Sequence, residues 1–140
     1  MMRDELRVAA TAENTPRVCD FVRDIATRQH LSNDVIFDID LAVEEAATNI
    51  VRHAYEAVPT GDILVGVEVE GDDVRITLTD WGTSFEADAA HLAVDVPVEV
   101  RAQGGMGVLL IERLMDEVTR TAAAAPGGPN VLTMVKHISR

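Results

Sequence analysis

Near the middle of this chain the hydrophobic period changes, and the change fixes what it can fold into. Between residues 39 and 54 the apolar side chains Ile39, Ala42, Val43, Ala46, Ala47, Ile50, Val51 and Ala54 recur every three to four positions, the stripe of one helix face. From Ile63 the period drops to two: Ile63, Val65, Val67 and Val69 alternate with their neighbours, and after Gly71-Asp72-Asp73 so do Val74, Ile76 and Leu78. A long helix followed by a hairpin needs an apolar helix face to cover an apolar sheet face, so helices layered on one face of a mixed, mainly antiparallel sheet are expected, an α+β sandwich.

The remaining segments fit that plan. Leu6 and Val8 alternate as a short strand. Thr15 with Pro16 opens a first helix whose Val18, Phe21, Val22 and Ile25 face the core. Ser32 caps the longer helix, which is expected to run to about Tyr55. A helix over Met106–Val118, a strand over Thr119–Ala122, a turn at Pro126-Gly127-Gly128-Pro129 and a last strand over Val131–Ile138 complete the order. From Trp81 to about Gln103 no period survives, and an irregular stretch of that length suggests a lid over a site, with Phe85 to Gln103 its moving part. One domain over residues 1–140 is expected from the length of 140 residues and an apolar content of 47%.

Charge and cysteine content narrow the function. A net charge of −12, with eleven scattered arginines and one lysine, argues against nucleic acid and anionic membrane as partners. Cys19, alone, permits neither an internal disulfide nor a cysteine-based zinc cluster, and beside Phe21 and Val22 it reads as packed. The four histidines have no zinc-ligand spacing. With no charged-then-apolar leader and no apolar run of membrane length, the cytoplasm is the expected compartment.

Three short segments can carry chemistry. Residues four apart on a helix differ by about 40° in direction, so Glu45, Asn49 and His53 form one row beside the apolar stripe. A carboxylate next to a carboxamide can act as general base and as oxygen ligand to Mg²⁺; a solvated helix edge is the plainer alternative. Glu44 points about 100° away from Glu45. Asp80 continues the inward register of Val74, Ile76 and Leu78, and a carboxylate on a core face demands a partner. An adenine amino group would serve, with Gly82 letting a flat base approach the backbone; a strand-end Asp also commonly caps a turn. Gly104-Gly105-Met106-Gly107 precedes a helix, whose unpaired first amides suit a phosphate. The chain lacks the lysine of a P-loop, since its single lysine is Lys136, so an arginine would have to share that task. Arg101 is the nearest by sequence, or else an ordinary loop arginine.

In this order the segments resemble the N, G1 and G2 boxes of the GHKL (histidine kinase-like) ATPases, with the Bergerat fold. "LAVEEAATNIVRHAY" (Leu41–Tyr55), "DWGTSFE" (Asp80–Glu86) and "GGMGVLLIERLMDEV" (Gly104–Val118) are similar, more narrowly, to the bacterial anti-sigma factor serine kinases. The resemblance implies a Mg·ATP-dependent kinase that phosphorylates a serine on a STAS-type anti-anti-sigma factor, sequesters a sigma factor in the alternative state, and forms homodimers. It implies Glu45 as general base and Asn49 as Mg²⁺ ligand. It also implies that Asp80 reads adenine and that Gly82, Gly105 and Gly107 contact the nucleotide; Met106, within the glycine turn, and Arg101 are expected beside them. Ser84 stands where the G1 box usually has a second glycine, and Val131, or Thr133 in its stead, where the last strand often supplies a threonine near the adenine. A nucleotide-dependent binding module without useful phosphotransfer is the competing reading. The ATPase domain of a histidine kinase is a weaker one, because no dimerisation helix pair with a phosphoacceptor histidine accompanies these boxes.

Overall fold

A computed structural model describes residues 2–55, 61–82 and 109–138. Strand β1 (Met2–Ala9) leads through a single 3-10 turn (Ala12–Asn14) into helix α1 (Thr15–Arg28) and then helix α2 (Asn33–Asn49). The chain leaves α2 through a π-helical turn over Ile50–Ala54 and continues into β2 (Asp62–Glu70) and β3 (Asp73–Asp80). Residues 109–114 form a helical segment, α3, followed by β4 (Glu117–Thr121) and β5 (Asn130–His137).

The five strands make one sheet in the order β1-β2-β3-β5-β4, and every neighbouring pair is antiparallel. The sheet, expected to be mixed and mainly antiparallel, is wholly antiparallel among the described residues. Its apolar face carries Ile63, Val65, Val67, Val69, Val74, Ile76, Leu78, Leu132 and Met134, all buried. Val18, Val22 and Ile25 of α1, Ile39, Val43, Ala46 and Ala47 of α2, and Ile111 beside α3's Leu114 pack into the same core. Arg23 ties α1 to α2, bonding Asp20 at 2.9 Å and Asp40 at 2.8 Å. No helix among the described residues is long and apolar enough to cross a membrane.

Local chemistry explains most element ends. The Ser32 hydroxyl accepts a bond from the Val35 N–H at 3.2 Å, the capping expected for α2. The two-residue turn between β2 and β3 places Gly71 at φ +58°, a conformation glycine adopts without strain. Three expectations change. Thr15 is the first residue of α1 and Asn14 its cap; the Asn14 carboxamide makes no cap bond, instead donating to the Ala9 carbonyl at 2.9 Å and pinning the turn out of β1. The helix expected to reach Val118 ends at residue 114, because Val118 pairs with Met134 in the sheet, and β4 accordingly starts at Glu117 rather than Thr119. The helix expected to reach Tyr55 keeps α geometry only to Asn49.

Candidate functional site

The π turn sets the geometry around the N box. A π turn inserts an extra residue into the helical ladder and is often found where a helix carries function. Here it begins one residue after Asn49. Glu45 and Asn49, one α-turn apart near the end of α2, are both half-buried, whereas Glu44 is exposed. The rotation expected between the two glutamates is thus seen in their burial. His53 lies in the π turn, half-buried, and Ala54 is fully buried.

Two contacts join the end of this helix to the end of β3. Gly82 packs so closely on the π turn that a Cβ there would stand 1.9 Å from the Ala54 carbonyl oxygen. The Tyr55 hydroxyl donates to the Asp62 carbonyl at 2.7 Å and accepts from the Trp81 N–H at 3.0 Å, linking α2, β2 and the segment after β3. Burial raises the Tyr55 pKa, and the charges of Asp80 and Asp62 act in the same direction, so the hydroxyl stays protonated as a donor. Arg7 of β1 sits 4.6 Å over the Trp81 ring and bonds Asp62 at 2.9 Å, completing this corner.

Asp80 closes β3 on the core face with 4% of its surface exposed, as its register requires. Its Oδ1 accepts two bonds, from the Gly82 N–H at 2.9 Å and from Asn130 Nδ2 at 3.0 Å. Oδ2 takes part in neither. Asn130, the first residue of β5, lies directly across from Asp80 and is 7% exposed. Its carboxamide also donates to the Gly82 carbonyl at 3.1 Å and accepts from the Ala123 N–H at 2.9 Å.

The last-strand expectation is corrected by this register. Thr79 pairs with Val131 and Thr77 with Thr133, so both residues project from the opposite face of the sheet and the neighbour of Asp80 is Asn130. Sequence reasoning missed Asn130 because its place depends on pairing between strands 50 positions apart. A polar residue just after the Pro-Gly-Gly-Pro turn is the one local signal it offers. Arg120 was missed as well: it is half-buried on β4 beside Leu132, where burial lowers its pKa against the opposing charges of Glu112 and Asp80.

Of the sequence-derived site residues, Glu45, Asn49, Asp80 and Gly82 fall on two elements joined through Gly82 and Tyr55. Arg101, Gly105, Met106 and Gly107, the stretch Phe85–Gln103 expected as a lid, and Ser84 lie outside the described residues. Cys19 is buried, and burial together with Asp40 and Glu44 pushes its thiol up to about 11, which suits a packed side chain and not a nucleophile.

A helix layer on one antiparallel sheet, with a buried carboxylate at a strand end braced against the end of a long helix, defines an α/β sandwich. The chain belongs to the histidine kinase-like ATPase domain family, whose pattern matches residues 8–136, and ATP use comes with that membership. It is 34% identical over 142 residues to the serine-protein kinase RsbW of Staphylococcus aureus, a match spanning 97% of this chain and 87% of the relative. The RsbW of Staphylococcus aureus strain MRSA252 is 36% identical over 121 residues, spanning 82% of this chain and 76% of its own length. Among solved structures, the RsbU and RsbW domains of a Mycobacterium tuberculosis protein align with a TM-score of 0.73 at 21% identity, over 100% of this chain and 33% of that one. The SiaB–SiaC complex of Pseudomonas aeruginosa aligns with a TM-score of 0.68 at 13% identity, over 93% and 88%. At these identities the two structures speak for the fold.

Proposed function

We infer that this protein, acting as a single ATPase domain, is an ATP-dependent serine kinase and anti-sigma factor. It phosphorylates a STAS-type anti-anti-sigma factor and, in the alternative state, sequesters a sigma factor, working in the cytoplasm and as a homodimer. The relatives named as serine-protein kinases match most of the chain and support the enzyme class. The observation that carries the reading is the pairing of a half-buried Glu45 with Asn49 one turn away, on the helix against which the Asp80 corner is braced. A partner switch without phosphotransfer has no need of that carboxylate.

The residues present fit the nucleotide. Asp80 keeps Oδ2 outside its bonds to Asn130 and Gly82, and a carboxylate oxygen accepts from the adenine amino group. The open side of Gly82 is taken by the Ala54 carbonyl rather than by a base, and its N–H holds Asp80 Oδ1 in place. Among the described residues no group of three or more His, Cys, Asp or Glu could cage a metal. Mg²⁺ is commonly held by one or two protein oxygens together with phosphate oxygens and water, and the Asn49 side-chain oxygen suits that role. The ion would neutralise phosphate charge. Glu45 takes the proton of the substrate serine hydroxyl as its oxygen bonds the γ-phosphorus and the bond to the leaving ADP breaks. Arg101 and the glycines Gly105 and Gly107, with Met106, are proposed to hold the phosphates.

The test is to incubate the protein with γ-labelled ATP, Mg²⁺ and the STAS-domain proteins of the same genome, and to look for label on serine. Asp80→Asn, which replaces an acceptor with a donor, should weaken nucleotide binding by about 1–3 kcal/mol. Labelling of no STAS protein, with partner binding intact, would favour the non-catalytic switch. Unchanged nucleotide affinity in Asp80→Asn would remove the adenine assignment.

A further inference from the structure

The row that carries Glu45 and Asn49 extends back along α2. Steps of four residues lead from Glu45 to Leu41 and from Leu41 to Phe37, each about 40° further round the helix and about 6 Å further along it. Leu41 is half-buried, whereas Phe37 is 65% exposed, an aromatic ring in solvent about 12 Å along the axis from the proposed base. Single exposed apolar side chains are ordinary on a protein surface; the neighbours of this one set it apart. Helix α2 carries five carboxylates, Asp34, Asp38, Asp40, Glu44 and Glu45, and neither lysine nor arginine. Lys136 pairs with Asp38 at 3.0 Å and Arg23 with Asp40 at 2.8 Å, but no described cation pairs with Asp34 or Glu44, both of which are exposed. Asp34 stands three residues before Phe37, on the same side of the helix. Beside the row a cleft of about 190 Å³ opens between α1 and α2, where Asp20, Asp40 and Glu44 face a single described cation, Arg23.

We propose that this side of α2 is the docking face for the protein whose serine is phosphorylated. An apolar surface of that protein meets Phe37 and Leu41, and its lysines or arginines meet the carboxylates around them. The serine hydroxyl has to reach Glu45, so the protein that carries it must lie over α2 next to that residue. A standard interface takes about 800 Å² from each partner, roughly a disc of 16 Å radius, so one centred on Glu45 covers Phe37 as well. Aromatic rings that bury a large area at little rotamer cost are the usual anchors of such contacts. Charge selects the partner: unpaired carboxylates favour a basic surface and speed its encounter, although each exposed charge adds little by itself. This inference rests on the kinase reading and on Glu45 as its base.

The experiment measures steady-state serine phosphorylation by the full chain, with the STAS-domain protein that the wild type labels as substrate. Phe37→Ala should raise KM for that protein about tenfold, with kcat and Mg·ATP affinity as in the wild type. The side chain is exposed and alanine suits a helix, so the variant keeps its fold. Phe37→Leu, which restores apolar surface, should recover most of the loss. Asp34→Lys should raise KM more than Glu70→Lys, an equal change of charge at the exposed end of β2. A wild-type KM in Phe37→Ala would overturn the proposal, as would equal effects of Asp34→Lys and Glu70→Lys. Loss of self-association in Phe37→Ala with KM unmoved would also overturn it, giving the face to a second copy of this chain. If the wild type labels no STAS-domain protein, the kinase reading falls, and this inference with it.

Discussion

Gly82 and Ala54 are in backbone contact: a Cβ at residue 82 would lie 1.9 Å from the carbonyl oxygen of Ala54 and 2.4 Å from its carbonyl carbon. The obstacle is main chain in a helical turn, which cannot swing aside as a side chain can. Gly82→Ala must therefore push β3's end away from the π turn. Overpacking of this kind costs about 1–3 kcal/mol, and it should weaken nucleotide binding because Gly82 also bonds Asp80. Denaturant unfolding and nucleotide titration of the variant check both; wild-type values in each would show that the two segments are not held together.

Glu45→Gln keeps the size of the side chain and removes its basicity. Phosphotransfer should fall about 10²–10⁴-fold with Mg·ATP and partner binding retained. Glu44→Gln, on the exposed face, should be close to silent. Serine phosphorylation by both variants decides the matter, and a wild-type rate in Glu45→Gln would mean that another group takes the proton.

Tyr55→Phe deletes a donor to the Asp62 carbonyl and an acceptor for the Trp81 N–H while keeping the ring. Two partly buried backbone groups lose their partner, so a stability loss of about 1–3 kcal/mol is expected, seen as a lower denaturant midpoint with an unchanged slope. An unchanged midpoint would show that water replaces the hydroxyl at no cost.

His137 sits at the end of β5, with Nδ1 2.6 Å from Asp73 Oδ1 and Nε2 3.5 Å from Glu117 Oε2. Its bond to Asp73, helped by the charges of Asp73, Asp116 and Glu117, raises its pKa above the ordinary 6.5. Since the folded value is the higher one, the stabilisation is complete below 6.5 and is lost as pH rises through the raised value. The melting temperature should thus fall over that window, and His137→Gln should flatten the dependence. An equally steep profile in His137→Gln would assign it to other groups.

The fold was readable wherever one face of an element is buried and the other is not. Val69 and Val74 alternate with half-buried or exposed neighbours, and they pair in the sheet as their period implies. Asp80 was legible for the same reason, being a charged residue in an apolar register. The π turn was not, because Ile50, Val51 and Ala54 continue the apolar stripe whether the ladder runs in α or π steps. The end of α3 was hidden similarly, since Leu114, Met115 and Val118 have helical spacing although Val118 belongs to a strand. Asn130 became visible only through pairing with a strand far away in the chain.

That distance matters for how the protein can vary. Asp80 and Asn130 are 50 positions apart in sequence and bonded side by side in the sheet. The entropy of closing a loop grows only logarithmically with its length, so doubling the number of residues between such partners costs about 0.6 kcal/mol. Changes of length between β3 and β5 are thus cheap for stability where they fall in the connections and leave Ile111, Met115 and the β4–β5 pairing in place. The Asp80–Asn130 corner can stay fixed while the connections between its two halves are lengthened or shortened.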